Sequence, residues 1–428
     1  MGDEQQRMAA YLPHAGGGSD RHHAGHIPIT WNGSPWGLTG LSFLNTLFAI
    51  MTLGIYGFWG RTEVRKRIWS SIHLADEPLA YTGTGKELFL GFLIVFGVVL
   101  LPTLAMTLGS LFAFGPHSMG NTITQIVIAV VFVFLGGVAL YRARRYRLAR
   151  TNWRGIRGSL EGSSWAFGWT NFWTMMIVPA VAAVVAGGFY LAVLRGQTAV
   201  PPAVLMQQYW FWFIGAYFLT IVFWLLLVPW RTTKLNRHIT NEMAFGSRPF
   251  AFTGSSRPLY LRFVARWVGV LILAVSAPAA LYFWIGQNRM GEFMAANAPG
   301  GKPVPMTTRE FVGFLIILAI AFLIYTVITA WYKAAEANYF ASVTSYEGQP
   351  FKLSVTALGL IGLVLVNTLI TIFSLGILRP VAMARTARYF VSNFALDGPV
   401  DVRAIAQSQA AMSKTGEGLA QAFDVDAF

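Results

Sequence analysis

Eight long apolar segments constrain the fold of this chain more than any other feature. Each has about 20 residues or more, the length that an α-helix needs to cross the hydrocarbon layer of a bilayer. Of the 428 residues, 55% are hydrophobic and 12% are charged, a composition typical of a polytopic membrane protein. We therefore predict an all-α, helical membrane protein. The eight segments are 38–59, 88–112, 121–141, 169–194, 209–230, 267–285, 311–332 and 353–378.

The seven connectors between these segments fall into two kinds by their content of Lys and Arg. Basic connectors stay on the cytoplasmic side of a membrane. The middle six segments are therefore predicted to form three hairpins that start and end in the cytoplasm. The basic connectors, 61–87, 142–168, 231–266 and 333–352, hold five, seven, seven and two Lys or Arg. The other connectors, 113–120, 195–208 and 286–310, hold none, one and three.

A short aromatic and glycine-rich phrase precedes the first segment and each predicted hairpin. It occurs at 29–45, 79–92, 158–172 and 250–263. Since each hairpin starts on the same side, we interpret the hairpins as three degenerate parallel repeats rather than inverted ones.

The two ends of the chain share a second, more specific repeat. The tripeptide Asn-Thr-Leu, followed by Leu-Gly-Ile, occurs at 45–55 and again at 367–377, with all six positions at one offset of 322 residues. The first and last apolar segments are therefore predicted to be copies of one element.

We predict that each of these terminal elements is a broken, re-entrant or interfacial helix–turn–helix. Both flanks of the first segment resemble cytoplasmic sequences. A helix over 39–51 would reach only about 20 Å, short of the roughly 30 Å hydrocarbon layer. A break at Thr52-Leu53-Gly54 is expected, because glycine frees the backbone and threonine can bond nearby backbone groups. Both termini would then be cytoplasmic.

The alternative makes all eight segments full crossings and places both termini outside. It would leave Arg379, Arg385 and Arg388, just after the last segment, on the face that basic residues avoid. We therefore rank it second.

Three regions are predicted: a His- and Gly-rich tail over 1–26, a membrane domain over 27–400 and an acidic tail over 401–428. The first tail is expected to be disordered. The net charge is +14, and the basic residues lie beside the apolar segments. This arrangement favours anionic lipid over nucleic acid as the partner. The chain has no cysteine, so thiolate chemistry is excluded, and we expect no cofactor and no metal.

The stretch TLGIYGFWGRTEVRKRIW at 52–69, followed by YTGTGKELFLGF, resembles the YjgN-like family of bacterial inner-membrane proteins of unknown function. The family's Arg-Tyr pair is replaced here by Arg67-Ile68, whereas Arg145-Tyr146 and Arg388-Tyr389 supply it later. The resemblance covers most of 27–400 and implies a bacterial inner-membrane location without implying an activity. The matching residues are Thr52, Leu53, Gly54, Ile55, Tyr56 and Trp59.

The terminal repeats carry a candidate structural or functional motif. Its asparagines are the polar residues that stand out within their apolar segments, and they are expected either to join helices by hydrogen bonds or to hold a ligand or ion. The motif consists of Asn45, Thr52, Gly54, Tyr56, Trp59, Asn367 and Gly376.

The basic stretch at 141–158 is a candidate contact for anionic lipid. Its arginines could bind lipid head groups, or they could do no more than fix the topology. The candidate residues are Arg144, Arg145, Arg147, Arg150 and Arg154.

Away from their ends, the apolar segments contain no Asp, Glu, Lys, Arg or His. Ion-coupled transporters usually keep such a residue at membrane depth. Catalytic sequence motifs are missing too. A lipid-modifying enzyme would need clustered acidic residues or histidines at the membrane interface, and the only such cluster is His73, Asp76, Glu77 and Glu87. We therefore predict a non-enzymatic channel-like, transport or lipid-interacting bundle without ion coupling. The alternative is a scaffold for an envelope protein partner.

The predicted topology can be tested with fusions after Phe428. A fluorescent protein fused there should fluoresce, and alkaline phosphatase should stay inactive, because the phosphatase folds only in the periplasm. Active phosphatase would instead favour eight full crossings.

Overall fold

The computed structural model describes residues 28–189, 208–296 and 304–396, with positions 191, 204 and 398. The predicted tails, 1–26 and 401–428, lie outside the described residues. The helices are α1 Thr39–Met51, α2 Gly57–Ser70, α3 Gly85–Phe114, α4 Met119–Arg150, α5 Ser164–Phe189, α6 Trp210–Asn241, α7 Arg257–Ile285, α8 Gln287–Ala296, α9 Thr308–Ser342, α10 Ala357–Phe373 and α11 Arg379–Ser392.

Six of these helices, α3 to α7 and α9, are long and apolar enough to cross a membrane within the described part of the chain. They coincide with the six middle apolar segments. The prediction of a helical membrane protein is confirmed at this level.

The prediction of an all-α chain missed a set of short strands in the basic connectors. The first three form one sheet and the other eight form a second sheet in chain order, with antiparallel pairing throughout. They are β1 Ile29–Trp31, β2 Ile72–Leu74, β3 Glu77–Pro78, β4 Ala80–Tyr81, β5 Thr151–Trp153, β6 Ile156–Leu160, β7 Met243–Phe245, β8 Arg248–Phe252, β9 Thr344–Tyr346, β10 Gln349–Leu353 and β11 Phe394–Leu396.

Tight two-residue turns join several of these strands into hairpins. Arg154-Gly155 turns between β5 and β6 with φ of 51° and 81°, and Glu347-Gly348 turns between β9 and β10 with φ of 51° and 79°. Positive φ at both positions is the geometry of type I′ turns, which favour glycine at the second position. Strands of two to five residues are too short to show an alternating pattern, so only these turns signal them in the sequence.

Every long helical element lies between two strands that pair with each other. We call these five strand–helix–strand segments units 1 to 5. Paired strands lie about 4.8 Å apart, so the two ends of each helical element meet at one sheet, the first sheet for unit 1 and the second for units 2 to 5. The innermost pairs of units 1 to 5 are, in order, Trp31 with Ile72, Tyr81 with Thr151, Leu160 with Met243, Phe252 with Thr344 and Leu353 with Phe394.

Units 1 and 5 contain the broken helices that the terminal repeat predicts. In unit 1 the break has φ of 51° at Leu53 and 90° at Gly54, and in unit 5 the values are 50° at Leu375 and 85° at Gly376. The offset of 322 residues also relates the bounds of α2 to those of α11. Paired strands hold both ends of each broken element together.

Units 1 and 5 also pack against each other. Leu38, Val64 and Ile68 of unit 1 form a buried cluster with Val381 and Ala384 of α11. Each broken unit also packs on the neighbouring long helix, α2 on α3 and α10 on α9. The direct contact between units 1 and 5 was not predicted.

Replacing Gly54 by Val tests the break. Added atoms at Gly54 would meet no neighbour, so the cost should come from its φ of 90° alone, on the order of 1–3 kcal/mol. Gly376→Val should behave alike. Gly57→Val is the matched control, because its site is also open but its φ is not positive. Equal thermal destabilisation by all three changes would contradict a special role for the break.

Candidate functional site

The side chain of Thr52 spans the break in unit 1. Its Oγ1 donates to the Phe48 carbonyl at 2.7 Å and accepts from the Tyr56 amide at 2.9 Å. The Tyr56 ring lies 5.0 Å from the Phe48 ring, measured between centroids. In unit 5 the matching Ser374 accepts from the Leu378 amide at 3.0 Å. These groups satisfy backbone donors that the interrupted helix leaves without partners.

The two asparagines of the terminal repeat make the same contact in their own units. Asn45 Nδ2 donates to the Gly60 carbonyl at 3.3 Å, and Asn367 Nδ2 donates to the Ala382 carbonyl at 3.2 Å. Each asparagine therefore joins the two arms of one broken helix, and neither joins one unit to the other.

The oxygen atoms of these asparagines differ. Asn367 Oδ1 accepts from Arg385 Nε at 3.0 Å. The position in unit 1 that matches Arg385 is Glu63, whose carboxylate cannot donate. Asn45 Oδ1 is buried and accepts no hydrogen bond from the described residues.

A cavity of 620 Å³ lies between units 1 and 5, with both breaks in its walls. Gly54 and Gly376 line it. Trp59 instead packs on α3, where any side chain at Gly85 would overlap with the indole. The polar and apolar groups in the cavity wall include Asn45, Ile50, Arg61, Arg65, Ile377 and Arg379.

The candidate lipid-binding arginines, four on α4 and Arg154 in the turn after β5, lie away from this cavity. The contacts of Arg145, Arg150 and Arg154 lie within the protein. Arg145 Nε donates to the Leu160 carbonyl at 2.8 Å. Arg150 forms a 2.6 Å ion pair with Glu87, and Arg154 forms a 2.7 Å pair with Glu77. These bonds fasten the strand end of α4 to neighbouring segments.

The other two candidates, Arg144 and Arg147, are half-buried on α4. Two of the residues considered for a lipid-modifying enzyme, Glu77 and Glu87, do not form one cluster. Each is paired with a different arginine. Within the described ranges, no three His, Asp or Glu residues are grouped so as to hold a metal.

One polar pair inside the helical region was missed. Arg231 donates to Asn171 Oδ1 at 2.7 Å, and Asn171 is 5% exposed. One turn later, the Lys234 ammonium lies over the rings of Trp173 and Trp230, at 4.3 and 4.9 Å from their centroids. Two features of the sequence could have indicated this pair. Asn171 lies in a repeated phrase, and Arg231 comes just after an apolar segment.

These features define a multi-pass helical membrane protein with two broken terminal units around one cavity. The chain belongs to a family of bacterial proteins of unknown function, DUF898, whose match covers residues 26–422. It is also similar to a protein named inner membrane protein YjgN from Salmonella typhimurium strain LT2, with 27% identity over 133 residues.

That alignment spans 31% of this chain and 31% of the Salmonella protein. No solved structure matches the chain. The predicted YjgN-like family is confirmed, and the name of the relative together with the six apolar helices supports the predicted inner-membrane location.

Two substitutions separate structural from lipid-binding arginines. Arg150→Gln should lower the free energy of unfolding by about 2–3 kcal/mol, because it leaves Glu87 with the Tyr146 hydroxyl but without a cation in a mostly buried pair. Arg154→Gln, in an exposed pair, should cost less than about 1 kcal/mol. The measurement is unfolding in detergent. An Arg150→Gln protein of unchanged stability that binds less anionic lipid would instead assign Arg150 to lipid.

Proposed function

We propose that this protein is a non-enzymatic, lipid-interacting bundle of the bacterial inner membrane without ion coupling. In this proposal units 2 to 4 are three parallel transmembrane hairpins with their sheet in the cytoplasm. Units 1 and 5 are re-entrant tips in the cytoplasmic leaflet, and both termini are cytoplasmic. The observation that carries the proposal is the exposure of two leucines at the breaks, 95% for Leu53 and 91% for Leu375.

The depth of the tips follows from counting residues upward from the strands. In α4 the apolar stretch ends at Leu140, ten residues before the helix ends at Arg150. Ten residues before the end of α2 at Ser70 is Gly60, which directly precedes the basic residues of that helix, so the apolar layer should begin there. The break at Leu53 lies beyond Gly60, so it would reach on the order of 10 Å into an apolar layer roughly 30 Å thick.

Lipid is the medium that suits such tips. Moving a fully exposed leucine side chain from water into an apolar medium is favourable by about 2 kcal/mol. Each tip carries further exposed apolar residues. The neighbouring residues with large exposed fractions include Ile50, Met51, Ile372 and Phe373. Tips at this depth would occupy one leaflet only and would displace lipids there.

Two features of the sequence support lipid interaction over ion-coupled transport. The apolar segments lack ionisable residues away from their ends, and the basic residues concentrate on the side of the sheet. An anionic leaflet beside that side would attract them.

Depth-dependent quenching tests the proposal in proteoliposomes. The native chain has no cysteine, so Leu53→Cys and Leu375→Cys can each carry a single fluorophore. Nitroxides on the inner half of the acyl chains in the cytoplasmic leaflet should quench both labels more strongly than nitroxides at the lipid carbonyls of either leaflet. Met119→Cys is the control, because the start of α4 should respond to the opposite leaflet.

Absence of quenching at both tips would contradict the proposal. If the protein also co-purified with another envelope protein at a fixed ratio, the scaffold alternative would replace it.

A further inference from the structure

The cavity between units 1 and 5 combines basic and apolar walls. Arg61, Arg65 and Arg379 line it, with Arg379 from α11 and the other two from α2. Ile50 and Ile377 lie in the walls toward the breaks. A ligand that satisfies both kinds of wall needs an acidic group and an apolar portion.

The position of the arginines points to a ligand from the membrane. By the same residue count, Arg61 lies at the boundary of the apolar layer. In α11 the matching boundary is at Ala382, and Arg379 lies about 5 Å from it toward the break. Lipid phosphates are found at that boundary. Arginine is suited to them because its planar guanidinium donates two parallel hydrogen bonds to phosphate oxygens.

Asn45 supplies a second and independent indication. Its amide nitrogen is used by the Gly60 carbonyl, which fixes the orientation of the amide. Its buried Oδ1 accepts nothing from the described residues, although the matching atom of Asn367 has a donor in Arg385. Since a buried acceptor without a donor is costly, a ligand in the cavity should present a hydrogen-bond donor to it.

We propose that this cavity binds an anionic phospholipid of the cytoplasmic leaflet whose head group carries a hydroxyl, as in phosphatidylglycerol. The phosphate contacts the arginines, the head-group hydroxyl donates to Asn45 Oδ1, and acyl carbons lie along Ile50 and Ile377. This assignment rests on the proposed membrane position of the tips and names the lipid class that they bind.

The test measures lipids retained by protein taken from phosphatidylcholine nanodiscs that contain phosphatidylglycerol or phosphatidylmethanol. Arg61→Gln/Arg379→Gln should reduce retention of both anionic lipids by roughly 30-fold, as expected for the loss of two basic contacts. The matched control is Lys66→Gln/Arg388→Gln, which removes the same charge from exposed positions on α2 and α11 outside the cavity wall. Its retention should stay near that of the native protein.

The hydroxyl contact has its own pair of variants. Phosphatidylmethanol has the same phosphodiester charge as phosphatidylglycerol but no hydroxyl. Asn45→Leu should abolish the preference for phosphatidylglycerol, whereas Asn367→Leu, which cuts the equivalent contact in unit 5, should keep it. Loss of the preference in both variants would overturn the role of Asn45.

A soluble source for the phosphate group is tested in the same experiment. Excess inorganic phosphate or glycerol 3-phosphate should not displace the lipid, and displacement would overturn the lipid assignment. Equal retention by the cavity and control double variants would overturn the site. If the site fails while both tips are still quenched from the cytoplasmic leaflet, the proposed function stands without this ligand.

Discussion

The antiparallel pairing of the two strands that flank each helical element is the interaction on which the rest of this structure depends. It holds both ends of every element at one sheet, whether the element is a pair of long helices or a short broken one. An element with both ends held together must turn back. The pairing therefore gives one rule for five units, and the length of each element decides how far from the sheet it extends.

In the terminal units, the turn is stabilised by local hydrogen bonds rather than by neighbouring helices. A hydroxyl at the position of Thr52 or Ser374 satisfies the backbone on the far side of the break, and an asparagine joins the two arms. The copies then diverge at one place: Arg385 supports Asn367, while Glu63 leaves Asn45 Oδ1 without a donor from the described residues. That difference, inside a basic and apolar cavity, makes unit 1 the better candidate for ligand contact.

The sequence predicted the features that hydropathy and exact repetition encode. Six helices long and apolar enough to span follow from segment length in the described part of the chain. The breaks follow from Gly54 and Gly376 at one offset, because few other residues tolerate their φ. The strands were missed because two to five residues show no period. The cavity could not be predicted, since its walls come from both units 1 and 5 and neither unit contains it alone.

The most direct test of the central claim is a cryo-electron microscopy structure of the protein in a lipid nanodisc. We expect Leu53 and Leu375 to lie between the cytoplasmic phosphate layer and the bilayer midplane, with both sheets outside that same phosphate layer. Either leucine at the opposite phosphate layer, or strands of one unit found on opposite sides of the bilayer, would contradict it.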